Sequence, residues 1–226
     1  MKVGVLFSGG KDSAYALYKA LDKEDVVCLI TIVSENPESY MFHTPNIALT
    51  ELQAEAMGMP LVKVATDGVK EEELEDLKKA IETAKVKYGI EGVVTGAVES
   101  VYQGERVQRV CDELGLWCFN PLWKMDQIQL LEDILEFGFE VIVSGVFAEP
   151  FTREWLGRRV GPEAIDELEK MGEEHMISPS GEGGEIETTV LDAPFFNRRI
   201  EVTDSRREFK GISGAYHISD ARLADK

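Results

Sequence analysis

The sequence predicts an α/β protein: a doubly wound, mostly parallel sheet followed by a smaller C-terminal α+β part. Three observations lead there. Short apolar runs rich in β-branched residues alternate with amphipathic segments over the first two-thirds of the chain. A glycine-rich polar knot joins the first such run directly to a helical pattern. The alternation then lapses near Ala148–Pro150, after which come one helical stretch, a glycine- and glutamate-rich loop and shorter strand candidates. Alternating strands and helices imply parallel strands covered on both faces, since each crossover must return along the sheet.

In order, Val3–Phe7, Val26–Val33, Leu61–Val64, Gly92–Thr95 and Glu140–Ser144 are near-continuous apolar runs, as strands buried on both faces require. Ala14, Leu17, Tyr18 and Leu21 stand at helical spacing, as do Val107, Val110, Cys111 and Leu114. Thr44 and Pro45 read as an N-cap with proline at the first helical position, and Gly58 with Pro60 as the matching stop. Glu71 to Glu73 open a helix that closes on lysines, in line with the macrodipole. Leu114-Gly115-Leu116 and Asn120-Pro121 give a helix stop, a short strand and a proline turn. Beyond residue 150, Pro162–Met171 reads as a helix and Thr188–Leu191 and Arg199–Thr203 as strands. The division is expected at residue 148, giving parts 1–148 and 149–226.

The 226 residues suffice to bury roughly 70–75% of the unfolded surface in one substantial core. A net charge of −18 repels phosphate backbones and argues against long stretches of nucleic acid as partner, though it also serves plain solubility. Cys28, Cys111 and Cys118 form no CxxC and no metal-ligand spacing; Cys28 and Cys111 read as buried small hydrophobes, with no disulfide framework. Lys2 leads straight into a strand, and the longest apolar run is too short to cross a bilayer, so neither leader nor membrane span is expected.

Three stretches carry chemistry. Ser8-Gly9-Gly10-Lys11-Asp12-Ser13 lies at the carboxyl end of the first strand, where doubly wound sheets bind ligands. Two glycines let an anion approach backbone N–H groups, and Asp12 or Ser13 can cap the helix. A tight turn explains the same residues, and neither the Walker A nor the Rossmann pattern is present. The second stretch runs from Gly96 to Arg106; a helix from about Val101 puts Tyr102, Arg106 and Arg109 on one face, suited to phosphate or carboxylate or simply exposed. The third, Gly181-Glu182-Gly183-Gly184-Glu185-Ile186-Glu187-Thr188, sets three carboxylates on a flexible loop, which bind a cation or keep the loop solvated.

The knot matches the SGGxDS signature and resembles the N-type ATP pyrophosphatase superfamily, whose fold is adenine nucleotide alpha hydrolase-like and whose loop holds the departing pyrophosphate. Together with His43-Thr44-Pro45-Asn46, GAVESVYQGERVQRVCDELGL, the NPLW turn and GEGGEIET, it makes almost the whole chain similar to the diphthine–ammonia ligases, of the short archaeal type. That resemblance implies adenylation of the diphthine carboxylate on elongation factor 2 by ATP and displacement of AMP by ammonia, in the cytoplasm, with Mg2+. It implies Ser8, Gly9, Gly10, Lys11, Asp12, Ser13 and Gly96 at the nucleotide, with Asp12 toward the metal. Lys11, Asp12, Glu182, Glu185 and Glu187 are the implied catalytic groups, and Ser100, Tyr102, Gln103, Arg106, Gly183, Gly184 and Thr188 the implied acceptor-side groups. A homodimer is left open. The rivals are a tRNA-thiolating relative, disfavoured by charge and cysteine pattern, a glutamine-dependent synthetase, disfavoured by the lack of an N-terminal cysteine, and an ATP-binding sensor that never turns ATP over.

Overall fold

The structure is a computed structural model and describes residues 1–34, 45–68 and 72–226. The first sheet holds β1 (Lys2–Leu6), β2 (Asp25–Ser34), β3 (Leu61–Thr66), β4 (Gly92–Val94) and β5 (Trp117–Phe119) in the order β3-β2-β1-β4-β5, every pair parallel. Winding runs outward from β1 to β3, then returns to β4 and continues the other way, so the order reverses between β1 and β4.

Helices cover both faces; of the two expected stripes Ala14, Leu17, Val107, Val110 and Cys111 are buried, Tyr18 and Leu114 are half-buried, and Leu21, at the end of its helix, is exposed. On one face α1 (Lys11–Leu21) and α2 (Leu49–Met57) bury Ala14, Leu17, Ala54 and Met57 against Val3, Val5 and Leu29. On the other, α3 (Glu72–Tyr88) and α4 (Val101–Leu114) bury Leu77, Ile81, Val107, Val110 and Cys111 against Ile30, Ile32 and Val93. Lys85 and Lys87 close α3, as the macrodipole reading expected, while Glu71 lies outside the described residues. The helix stop at Gly58 is present, in the left-handed conformation. His43 and Thr44 lie outside the described residues, and Pro45 does not open α2: a turn over residues 45–48 intervenes and the helix begins at Leu49.

The second sheet corrects the sequence reading. α5 (Gln127–Glu136) leads into β6 (Glu140–Val146), which joins β7 (Ile186–Asp192), β8 (Arg199–Lys210) and β9 (Ser213–Ala224) in an antiparallel sheet of order β7-β6-β9-β8. A division at residue 148 would leave β6 with the first sheet. Its apolar run reflects a central strand covered on both faces, a pattern that parallel and antiparallel sheets share. α6 (Pro162–His175) carries proline at its first position and packs Ala164, Ile165 and Leu168 into the core. One hydrophobic cluster runs from Val5 and Leu17 through Leu131 and Val143 to Val190 and Ile200, so the second sheet packs on the α1–α2 side of the first without a break. Among the described residues no helix is long and apolar enough to cross a membrane.

Candidate active site

A cavity of about 360 Å³ opens where the strand order reverses, at the carboxyl ends of β1 and β4. Its polar wall brings together the knot (Ser8, Gly10, Lys11, Asp12, Ser13), the turn and first residues of α4 (Gly96, Ser100, Gln103) and the acidic loop (Glu182, Gly183, Gly184, Glu187, Thr188). The lining also includes the apolar Ile30, Ile32, Ile47 and Val107. Three stretches separated by some 80 residues each therefore line one space, which composition alone left open.

The knot owes its shape to its anchors. Gly9 is left-handed (φ +81°), and its carbonyl accepts from Val190 N–H (2.9 Å) and Gln53 Nε2 (3.0 Å). The Lys11 N–H donates to Thr188 Oγ1 at 3.1 Å, and Ser8 N–H to Ser13 Oγ at 3.2 Å. So two N–H groups of the expected anion nest are engaged within the protein, and Thr188, expected at the acceptor, pins the knot. Ser13 does not cap α1: its hydroxyl donates to Gly10 O (3.0 Å) and accepts from Ser8 Oγ. Gly10 is the N-cap with no side-chain hydrogen bond, which leaves the positive end of α1 open at the cavity. Gly96 is required by close approach, since a Cβ there would lie 2.8 Å from the backbone of Asp12 and Ser13.

Lys11 is almost fully buried, and its ammonium donates to Asp12 Oδ2 (2.9 Å) and to the Ser180 carbonyl. The second Asp12 oxygen, Oδ1, is buried with no hydrogen-bond partner among the described residues. Glu182 accepts from Glu99 N–H at 3.1 Å; burial, then the nearby Asp12 charge, raises its carboxyl above the usual range. Glu187 is pushed up to about 7, chiefly by burial, with the Asp12 and Glu182 charges adding and Lys11 opposing. Two carboxyl groups, both shifted upward, thus share one space with the Lys11–Asp12 pair.

Not every anticipated residue reaches this space. Glu185 does not line the cavity; its Oε1 accepts from Ser178 N–H (3.0 Å) and its carbonyl from Phe147 N–H, so it braces the loop. Tyr102 and Arg106 stack on each other, guanidinium 3.4 Å from the ring centroid, one residue to the side of the cavity-lining stripe Gln103–Val107. The anticipated Gly9 also lies behind the wall. Sequence reasoning missed Gln53, Gln127 and Ser180, whose partners are 28 to 169 residues away, and the apolar lining, whose isoleucines read as ordinary core.

Two consecutive family models match almost the whole chain. "Diphthamide synthase N-terminal domain" covers residues 1–118 and "Diphthamide synthase C-terminal domain" residues 126–224. Proteins named diphthine–ammonia ligase are 33% identical in rat (99% of this chain, 91% of that one) and 30% identical in human (91% and 84%). The chain belongs to the diphthine–ammonia ligase family. A family member from Schizosaccharomyces pombe is 35% identical over 90% of this chain, which spans only 36% of that protein's length. The two family segments meet between residues 118 and 126, where the chain leaves β5 for α5. A solved U34-tRNA thiolase from Methanococcus maripaludis aligns at a TM-score of 0.39 and 16% identity, over 82% of this chain and 71% of that one.

Proposed function

We propose that this ligase-family chain completes diphthamide on elongation factor 2 in the cytoplasm, with its own cavity holding both ATP and the acceptor. The single observation that carries the reading is the meeting of the SGGKDS knot with Glu182 and Glu187, both raised above the usual carboxylate range, in one space, with Lys11 tying the knot to the acidic loop through Ser180. The apolar isoleucines receive adenine, and the knot and the open end of α1 receive the β- and γ-phosphates. An oxygen of the diphthine carboxylate attacks the α-phosphorus, and pyrophosphate leaves with its charge met by Lys11. Ammonia then attacks the acyl carbon, AMP departs with the bond electrons, and the nitrogen gives up a proton to form the amide.

Glu187 suits that proton, since a carboxyl near 7 accepts and releases one at neutral pH. Glu182 provides charge for ammonium or for the trimethylammonium group of diphthine, and Ser100, Gln103, Gly183 and Gly184 shape the acceptor side. Tyr102 and Arg106 border the mouth as a stacked pair. Mg2+ fits the donor set in a limited way: among the described residues no three His, Cys, Asp or Glu form a ready cage, but Asp12 Oδ1 is a buried oxygen without a partner. A magnesium ion held by one carboxylate and substrate phosphates needs no more, and it would neutralise phosphate charge. Among the described residues no cysteine lines the cavity.

The test is pyrophosphate release with ATP and ammonia, using elongation factor 2 with and without diphthine. Release only with the modified acceptor supports the ligase reading. Binding of ATP without release in either case makes the chain a sensor.

A further inference from the structure

The geometry points to Gln127 as a positioning residue that holds the acidic loop in register with the phosphate loop; the catalytic part of this inference rests on the ligase reading above. Gln127 is the first residue of α5 and does not line the cavity. Its Oε1 accepts from both the N–H (3.1 Å) and the hydroxyl (2.9 Å) of Ser180, and its Nε2 donates to Glu99 Oε2 at 3.2 Å. Ser180 is fully buried and turns its carbonyl to the Lys11 ammonium. Glu99 in turn gives its backbone N–H to Glu182. The chain of bonds Lys11–Ser180–Gln127–Glu99–Glu182 therefore joins both halves of the site through one amide.

Three features set Gln127 apart from an ordinary surface glutamine. The bonds it links span 28 to 169 residues, so they fix tertiary position rather than local turn geometry. Its own base is firm: Asp126 caps α5 through Ile128 N–H and Gln129 N–H, and Leu130, Leu131 and Ile134 are buried. Finally, its orientation is determined. A flipped amide would turn Nε2 toward the Ser180 N–H and leave donor facing donor.

That polarity provides a specific test. Gln127→Glu keeps the acceptor toward Ser180 but sets a carboxylate against Glu99. Adding Glu99→Gln restores the bond with donor and acceptor exchanged. In the full-length protein, Gln127→Ala and Gln127→Glu should each lower kcat for amidation about tenfold to a hundredfold. The dissociation constant for ATP should stay within about threefold, because the knot keeps its anchors to Val190, Gln53 and Thr188. Amide hydrogen exchange over residues 178–185 should quicken at least about tenfold without any substrate present. The pair Glu99→Gln/Gln127→Glu should recover most of both losses, a coupling that loss of bulk cannot produce.

Exchange and kcat equal to wild type in the two single variants would overturn the inference. So would a pair no better than Gln127→Glu alone. Thermal melting identifies a variant that fails to fold, and the rescue then decides between loss of bulk and loss of the bond. If wild-type protein makes no AMP while the exchange pattern follows the expected order, the ligase reading fails and the anchoring stands.

Discussion

The SGGKDS knot and the acidic loop line one cavity, yet different features stand out in each. In residues 8–13 the backbone is what matters: Gly9 takes a left-handed conformation, Gly96 lets α1 approach, and anchors to Val190, Gln53 and Thr188 hold the main chain. In residues 178–187 the side chains matter: Glu185 and Glu182 accept from backbone N–H groups, while burial holds Glu182 and Glu187 above the usual carboxylate range. An added carbon at Gly10 or Gly96 should therefore act on ATP, and loss of charge at Glu182 or Glu187 on amidation.

The largest effect should come from adding carbon to the first loop. A Cβ at Gly10 would lie 3.2 Å from the Thr188 carbonyl, and the branched methyls of Gly10→Val would occupy the phosphate path. ATP binding should fall at least about a hundredfold by titration, as removing several charge-assisted contacts implies. Gly96→Ala, with its Cβ 2.8 Å from Asp12 and Ser13 backbone, should weaken ATP in the same direction. Unchanged affinity in both would break the contrast between the loops.

Next comes charge removal from the second loop. Glu182→Gln with Glu187→Gln keeps the shape and should leave ATP affinity within about threefold, while amidation falls about ten- to a hundredfold. Mass spectrometry of the acceptor reads this directly. Lost ATP binding instead would place these carboxylates around the nucleotide.

A smaller effect sharpens the same point through stability. Glu187 holds its proton to about 7 when folded and to about 4.5 when unfolded, so folding takes up a proton between those values. Stability therefore declines as pH rises through that window, and the loss is complete above it. Glu187→Gln should match wild type below pH 4.5 and exceed it above pH 7, by at most ~3 kcal/mol. Denaturant titrations across this range would show it, and a constant difference would contradict the burial argument. The smallest effect belongs to Glu185→Gln, whose amide oxygen still accepts from Ser178 N–H; kcat should stay within about threefold.

Legibility in the sequence followed the range of the interaction. The knot was readable because left-handed and closely approached backbone demands glycine at fixed neighbouring positions, as at Gly9 and Gly10. The parallel sheet was readable because buried strands need continuous apolar runs. β6 was misplaced for the same reason, since its run does not state the direction of its neighbours. β9 went unseen because it is half-exposed along its length and mixes polar with apolar residues. Glu185 and Glu187 look alike two positions apart; only the Ser178 N–H and the packing of the loop separate a brace from a site group. Gln53 and Gln127 carry no local signal at all, because their partners are set by the folded chain.

The central claim is that one cavity couples ATP cleavage at the phosphate loop to amide formation at the acidic loop. The most direct measurement supplies isotopically labelled ammonia, ATP and diphthine-bearing elongation factor 2 to the wild-type protein and follows nucleotide and acceptor together. Labelled nitrogen is expected in the acceptor amide, with AMP and pyrophosphate formed in equal amount to it. ADP and phosphate as products, or AMP formed with no label in the acceptor, would contradict it.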